Sequence, residues 1–219
     1  MLTIKELFDL EHTQAKEYLS AYEYPWQALR ELKAFILQLG ATLDKTEYTE
    51  IAPQVWAHQS AKIAPTAYLN APCIIGAETE IRHCAFIRGS VLIGKNCVVG
   101  NSVEIKNAIL FDNVQVPHFN YVGDSILGYK SHLGAGAITS NVKSDKTLVV
   151  VKRGEKTMPT GLKKMGAMLG DFVEVGCNSV LNPGTVIGKN CRIYPLSCVR
   201  GTVEEGCVYK KQGEITPIK

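Results

Sequence analysis

Residues 73–111 read CIIGAETEIRHCAFIRGSVLIGKNCVVGNSVEIKNAILF, and an apolar residue returns at every sixth position of this stretch. The same repeat extends to both sides. Its apolar anchors are Ile51, Ala57, Ile63, Leu69, Ile75, Ile81, Ile87, Ile93, Val99, Ile105 and Phe111, and later Leu169, Val175, Leu181, Ile187, Ile193 and Val199. Units of six residues are too short for a repeat built from helices. The sequence therefore predicts a mainly β solenoid in which short strands alternate with turns.

The fifth residue of most units is small or apolar, which predicts a second inward-facing position. Cys73, Cys97 and Cys191 occupy this position, and the chain has seven cysteines in all. The odd number argues against a disulfide framework, and the spacing of the cysteines matches no zinc site. We therefore expect reduced thiols with a structural role.

The repeat divides the chain into three parts and one insertion. The parts are residues 1–42, the repeat at 43–206 and a C-terminal tail at 207–219. The step between anchors is five instead of six once, from Val122 to Leu127, and the pattern is absent from residues 142–168. A segment of this length without the repeat is expected to loop out from the solenoid.

The segment before the repeat is predicted to be helical. Thr3 and Glu6 have the spacing of a capping box, and Pro25 separates two helical pieces. Apolar residues from Trp26 to Leu39 recur at helical spacing. Solenoids need covered ends, so we expect an N-terminal helical cap over the open first coil, with partner docking as the alternative.

Composition excludes several classes of protein. The chain has 219 residues, 46% of them hydrophobic and 21% charged, with 24 Lys and Arg against 21 Asp and Glu. This is unlike a disordered chain, and a net charge of +3 is too small to indicate binding to nucleic acid. Apolar runs are far shorter than the ~18 residues of a membrane span, and no secretion signal is evident. A cytoplasmic protein without membrane contact is predicted.

Two cations, Arg88 and Lys106, are eighteen residues apart, which is the length of three units and thus of one coil. Positions one coil apart lie above each other at the strand spacing of ~4.8 Å. A phosphate would relieve the repulsion between the two side chains, and so would solvent. The spacing alone leaves both a phosphate site and two solvated side chains open.

Three motifs resemble a known family: VGNSVEIKN at 99–107, HFNYVGD at 118–124 and LGAGAITSN at 133–141. Together they are similar to the acetyltransferase domain of the bifunctional enzymes that make UDP-N-acetylglucosamine in bacteria. Residues 160–167 and 176–184 are similar to the β-helical half of archaeal sugar-1-phosphate nucleotidyltransferases. The resemblance implies a left-handed parallel β-helix and a homotrimer with sites between subunits. It also implies an acetyl-CoA-dependent N-acetyltransferase acting on an amino-sugar 1-phosphate such as glucosamine 1-phosphate.

The resemblance implies roles for individual residues. His118 would be the general base that deprotonates the attacking amine, with Glu104 orienting its ring, because histidine exchanges protons near neutral pH. Substrate contacts are implied for Arg88, Lys106, Tyr121 and Asn141. The Ala135 N–H would face the thioester carbonyl, and Cys177 stands where the family has a serine near CoA.

The insertion is strongly basic. It holds Lys143, Lys146, Lys152, Arg153, Lys156, Lys163 and Lys164 against Asp145 and Glu155, so seven cations outnumber two anions by five. The candidates to bind the phosphates of CoA are Lys152, Arg153, Lys156, Lys163 and Lys164. The alternative is an exposed hairpin around residues 147–151 whose charges are only solvated.

Departures from the family motif keep a second function open. Val142 replaces a family tyrosine and His132 a family asparagine, and residues 1–42 are too short for the family's nucleotide-binding half. Uridylyl transfer would then need a separate nucleotidyltransferase, and a non-catalytic β-helix that scaffolds or regulates such an enzyme is the competing interpretation. A zinc site of three histidines, as in γ-class carbonic anhydrases, is not expected, since Val122 and Gly123 stand where the third histidine would follow.

Overall fold

The computed structural model describes residues 1–218 and confirms the predicted parallel β-helix. Strands make up 38% of the chain and helices 13%, and the solenoid has about nine turns. Successive coils pair in parallel along three faces. Burial of apolar side chains inside this prism drives the fold, and the anchors with no exposed surface include Ile75, Ile87, Ile93, Val99 and Ile105.

The strands group by face. Face 1 holds β2 (Val55–His58), β5 (Cys73–Ile75), β8 (Val91–Ile93), the second halves of β10 (Glu104–Leu110) and β12 (Tyr121–Leu127), β17 (Ala167–Leu169), β20 (Thr185–Ile187) and β23 (Thr202–Val203). Face 2 holds β3 (Lys62–Ile63), β6 (Glu80–Ile81), β9 (Val98–Asn101), β11 (Gln115–His118), β13 (His132–Leu133), β18 (Glu174–Val175), β21 (Arg192–Ile193) and β24 (Cys207–Lys211). Face 3 holds β4 (Tyr68–Leu69), β7 (Phe86–Ile87), the first halves of β10 and β12, β14 (Ile138–Thr139), β19 (Val180–Leu181) and β22 (Cys198–Val199). Strands outside these stacks are β1 (Tyr48–Ala52), β15 (Val150–Arg153), β16 (Lys156–Pro159) and β25 (Glu214–Pro217).

Short helices precede the solenoid. They are α1 (Ile4–Leu7), α2 (Lys16–Ser20) and α3 (Leu32–Thr42), with 3₁₀ turns at Leu10–His12 and Pro25–Leu29. The predicted capping box is present, since the Thr3 N–H donates to Glu6 Oε2 at 2.7 Å and the Glu6 N–H donates to Thr3 Oγ1 at 3.3 Å. No helix within residues 1–218 is long and apolar enough to cross a membrane.

The coil register shortens three times, twice to a five-residue step and once to the four-residue step from Val199 to Val203, whereas the sequence predicted one slip. Ile93 pairs with Leu110, so the step from Ile105 is five residues and Phe111 is not an anchor in register. The second five-residue step ends at Leu127, as predicted. The first was missed because Leu110 and Phe111 are both apolar and either fits the pattern. Both five-residue steps lie at the same corner of the prism, where the chain passes from face 3 to face 1.

Face 1 buries a second layer of apolar side chains outside the prism. The middle residues of its strands point outward by strand alternation, yet Ile74, Leu92, Ile109, Ile126, Met168 and Val186 are at most 1% exposed. Helix α3 contacts β5, β8 and β10, and the turn at Pro25–Leu29 contacts β12. The predicted position of the helices over the first coil is therefore wrong. They lie along the side of the prism because face 1 offers an apolar strip there.

The insertion also folds back, against the expectation that it loops out. Strands β15 and β16 form an antiparallel hairpin, and β15 contacts β20 and β23 on face 1. Val149 and Val151 have no exposed surface. The Thr202 hydroxyl donates to the Lys152 carbonyl at 2.7 Å. The two valines extend the apolar layer over face 1, which explains why the segment packs instead of projecting.

The ends of the repeat differ from a plain solenoid. Ile51, the first predicted anchor, is 48% exposed and belongs to β1, which pairs antiparallel with β2. The segment assigned to a C-terminal tail adds β24 in parallel to β21, and β25 folds back onto β24. Lys219, the last residue of that segment, lies outside the described residues.

All seven cysteines are unpaired. Cys73, Cys97 and Cys191 are buried in the inward position, as the repeat predicted. Burial raises the pKa of the Cys73 and Cys97 thiols to about 12 and that of Cys191 to about 11. These three thiols therefore stay protonated at neutral pH and act as small apolar residues.

Candidate active site

Face 3 carries the predicted site residues at its two edges. His118 ends β11 on face 2 and pairs with Asn101, so it stands at the corner where the chain enters face 3. Arg88 follows β7. Its backbone N–H donates to the Ile105 carbonyl at 2.8 Å, which places Arg88 level with Lys106. Both cations stand where the chain leaves face 3 for face 1. One chain therefore holds the histidine and the cations at opposite edges of the same face.

The two cations stack as their spacing predicted, and each has a carboxylate partner. Arg88 Nη1 lies 2.7 Å from Glu104 Oε1, and Lys106 Nζ lies 3.7 Å from Asp124 Oδ2. The hydrogen bond that Arg88 donates to Glu104 raises the pKa of the Arg88 guanidinium. These carboxylates offset the repulsion between the cations, while both cations keep part of their surface open to solvent.

Within one chain Glu104 does not contact the His118 imidazole. Its carboxylate contacts Arg88, and no hydrogen bond to the His118 ring is found among residues 1–218. Asn120 fixes the backbone here instead. Its Oδ1 accepts from the His118 N–H at 3.1 Å, and its buried amide donates to the Gly134 carbonyl at 2.8 Å. The His118 ring itself is exposed.

Ala135 and Cys177 stand above His118 in the following coils. Gln115 pairs with His132, and His132 pairs with Glu174. Extending this register by three residues aligns His118, Ala135 and Cys177 along one corner of the prism. The Ala135 carbonyl accepts from the Asn178 N–H at 2.8 Å, whereas its own N–H has no acceptor within residues 1–218. This N–H is free to donate to a bound carbonyl.

Tyr121 and Asn141 belong to one polar cluster. The Asn141 amide donates to the Tyr121 hydroxyl at 3.1 Å and also to Asp124. Burial raises the pKa of the Tyr121 phenol, and the nearby Asp124 carboxylate adds to this shift. Asp124 was not predicted as a site residue. The available signal was the spacing of Asn107, Asp124 and Asn141, which are successively seventeen residues apart.

A pocket of about 450 Å³ lies where the insertion meets the solenoid, and Lys143, Lys152 and Arg200 line it. Lys143 is paired with Asp145 at 3.2 Å. Arg153 is not in this pocket, because its guanidinium forms two hydrogen bonds of 2.8 Å with the Glu204 carboxylate. Arg153 therefore does not line this pocket, and Arg200 is a pocket cation that sequence reasoning missed.

The described part of the chain offers no cluster of three His, Cys, Asp or Glu side chains placed to hold a metal ion. What the face 3 edges offer is two stacked cations, an exposed imidazole and a free N–H. With its coils of six-residue units, the chain is a hexapeptide-repeat protein of the β-solenoid class.

Comparison with known proteins narrows this class, and it confirms the resemblance seen in the sequence. A family model described as the GMPPB C-terminal domain matches residues 72–154. The bifunctional protein GlmU of Methanococcus maripaludis is 34% identical over 205 residues, which are 92% of this chain and 50% of that protein. The bifunctional sugar-1-phosphate nucleotidylyltransferase/acetyltransferase of Sulfurisphaera tokodaii is 29% identical over 221 residues, covering 94% and 54% of the two chains. The chain is homologous to the C-terminal acetyltransferase half of these proteins. It spans about half the length of the curated relatives it matches.

Solved structures show more distant similarity. The acetyltransferase domain of PglB from Neisseria gonorrhoeae, in complex with acetyl coenzyme A, is 13% identical with a TM-score of 0.33 and covers 74% of this chain and 56% of its own. A variant of AntD, an N-acyltransferase from Bacillus cereus in complex with dTDP and coenzyme A, is 19% identical with a TM-score of 0.39. It covers 74% and 82% of the two chains.

Proposed function

We propose that this protein is an acetyl-CoA-dependent N-acetyltransferase that acts on an amino-sugar 1-phosphate such as glucosamine 1-phosphate. The observation that carries the proposal is the stacked pair Arg88 and Lys106 beside the polar cluster of Tyr121 and Asn141. Two solvent-accessible cations fit a phosphate, and the hydroxyl and amide fit a sugar. Homology to the acetyltransferase half of bifunctional sugar-phosphate enzymes supports the same chemistry.

In this proposal His118 removes a proton from the substrate amine as its nitrogen attacks the thioester carbonyl of acetyl-CoA. The C–N bond forms, and negative charge develops on the carbonyl oxygen. The free Ala135 N–H, one coil above His118, would donate to this oxygen. Collapse of the intermediate breaks the C–S bond, and the imidazolium returns its proton to the CoA thiolate.

A homotrimer would assemble the complete site. His118 and the cations stand at opposite edges of face 3 in one chain, so a site that uses both needs the edge of a second copy. Face 3 and its corner also carry exposed apolar side chains, including Tyr68 at 64%, Phe119 at 62% and Leu196 at 79% exposure. Such side chains favour burial against another subunit.

The alternative is a non-catalytic β-helix that scaffolds or regulates a separate sugar-phosphate nucleotidyltransferase. The unpartnered His118 ring and the engagement of Glu104 by Arg88 favour it. Under either proposal residues 1–218 do not carry out nucleotidyl transfer, since the solenoid and its short helices account for them. A cytoplasmic location is part of the proposal.

A thiol-release assay with acetyl-CoA tests the choice between these functions. We expect glucosamine 1-phosphate to be acetylated, with free glucosamine at least about tenfold lower in kcat/KM because it lacks the group that Arg88 and Lys106 bind. Galactosamine 1-phosphate and nucleotide-linked amino sugars complete the panel. Equal rates with glucosamine 1-phosphate and free glucosamine would contradict a phosphate site at Arg88 and Lys106. If no acceptor gives thiol release, the non-catalytic scaffold function is favoured.

The basic pocket is proposed to hold the phosphates of CoA through Lys152 and Arg200. Replacing both with glutamate should weaken acetyl-CoA binding by about 1 to 3 kcal/mol in calorimetric titration, with a smaller loss at high salt. Glucosamine 1-phosphate affinity should stay unchanged, because Arg200 is four coils, or about 19 Å, from Lys106.

The matched control is Lys163→Glu with Lys164→Glu, the same charge change on exposed residues of the insertion that do not line the pocket. An equal loss of acetyl-CoA affinity in both double variants would indicate a general field effect and contradict a specific pocket.

A further inference from the structure

One buried carboxylate contacts two of the residues proposed to bind the sugar phosphate. Asp124 is 4% exposed, although it lies next to solvent-accessible side chains. Its Oδ1 accepts from the Asn107 amide at 2.8 Å, and its Oδ2 accepts from the Asn141 amide and lies 3.7 Å from Lys106 Nζ. Three consecutive coils therefore meet at this carboxylate.

The two five-residue steps, at residues 105–110 and 122–127, create this arrangement. Asn107 and Asp124 both adopt the left-handed backbone region, with φ of 47° and 49°, which Asn and Asp tolerate better than other side chains that carry a Cβ. Each lies within a five-residue step at the same corner, so they stand seventeen residues and one coil apart. Asn141 stands one further coil away, at the same spacing.

The environment of Asp124 makes it a positioning group. A carboxylate taken out of water is costly unless it is paired and hydrogen-bonded, and here two amides and one ammonium satisfy it. Both oxygens already have partners in the protein, and the carboxylate is only 4% exposed, so Asp124 offers a substrate little surface to contact directly. Its partners Lys106 and Asn141 are the residues that face the proposed ligand.

We infer that Asp124 is a positioning residue that holds Lys106 and Asn141 in the arrangement that binds the sugar phosphate. This inference rests on the proposed function for the identity of the ligand. Asp124 sets the place of the Lys106 ammonium and decides which end of the Asn141 amide points to the Tyr121 hydroxyl. Without the carboxylate, the Asn141 NH₂ group loses its acceptor, and the amide is free to rotate.

A simple field effect predicts the opposite sign, which makes the inference testable. Asp124 is a negative charge beside a phosphate site, so its removal would strengthen anion binding if charge alone mattered. If Asp124 positions Lys106 and Asn141, its removal weakens binding. The near-isosteric substitution Asp124→Asn separates these effects.

Calorimetric titration of glucosamine 1-phosphate into the full chain gives the primary measurement. Asp124→Asn should weaken its affinity at least about tenfold while acetyl-CoA affinity changes less than about twofold. In a Lys106→Met background, the same substitution should cost clearly less, because part of its effect passes through Lys106. Thermal melting of each variant reports stability separately.

Asp171→Asn is the matched control. Asp171 is 1% exposed, pairs with Lys189 at 3.4 Å and accepts backbone N–H bonds from Asp9 and Tyr129 at a different corner. It should lower thermal stability without changing the affinity for glucosamine 1-phosphate.

Each result decides something. Unchanged or tighter binding by Asp124→Asn would overturn the inference, and so would equal weakening by Asp171→Asn. If the wild type binds glucosamine 1-phosphate through Lys106 but releases no thiol, the proposed function fails while the role of Asp124 is still measured by binding. If the wild type binds no sugar phosphate at all, both are overturned.

Discussion

His118→Ala is expected to lower kcat for acetyl transfer by roughly 10²-fold or more, with acetyl-CoA binding retained. The substitution removes the imidazole to which the proposal assigns the amine proton. It leaves the local backbone in place, because Asn120 holds the turn through main-chain contacts. Steady-state rates from thiol release and acetyl-CoA affinity from titration measure the two effects separately.

His58→Ala is the control for this experiment, since His58 lies in the first coil and bonds Ser60 at 2.8 Å. It should keep the wild-type rate. Near-native turnover by His118→Ala would exclude His118 as the base and favour the scaffold function. A loss of acetyl-CoA affinity equal to the loss of rate would place His118 in cofactor binding instead of proton transfer.

Leu92→Ala is expected to lower the free energy of unfolding by about 2 to 5 kcal/mol. Leu92 is the outward residue of β8, yet it is only 1% exposed because α3 covers it. The substitution opens a cavity between face 1 and the helices. Urea unfolding followed by circular dichroism measures the change.

Leu148→Ala is a substitution of the same type at a residue that is 48% exposed. It should lower the free energy of unfolding far less, because folding removes less apolar surface of this side chain from water. Similar losses for the two variants would mean that the helices contribute little to face 1 and detach easily in solution.

The coils were predictable because the repeat is a local rule. A parallel strand pair needs an inward apolar side chain at the same point of each coil, and a six-residue period places one on each face. The rule failed where it was ambiguous. Leu110 and Phe111 both satisfy it, and only the pairing of Leu110 with Ile93 decides between them.

The covered side of the prism was missed although the sequence carries a signal for it. Runs of three apolar residues, such as Cys73 to Ile75 and Val91 to Ile93, recur mainly at face 1, although Ala85 to Ile87 and Cys97 to Val99 are such runs on the other faces. Only the first and third residues of each run point into the prism. The middle residue therefore indicates a partner layer, which the helices and the insertion supply.

The sequence by itself determined the solenoid and the stacking of Arg88 on Lys106, because both follow from counting residues along a regular coil. The tertiary structure decided which partner each charge has. Glu104 pairs with Arg88 instead of His118, and Arg153 pairs with Glu204, fifty-one residues away. Charged side chains are long and reach across coils and insertions, so their pairing depends on distances in space that the spacing of a repeat does not encode.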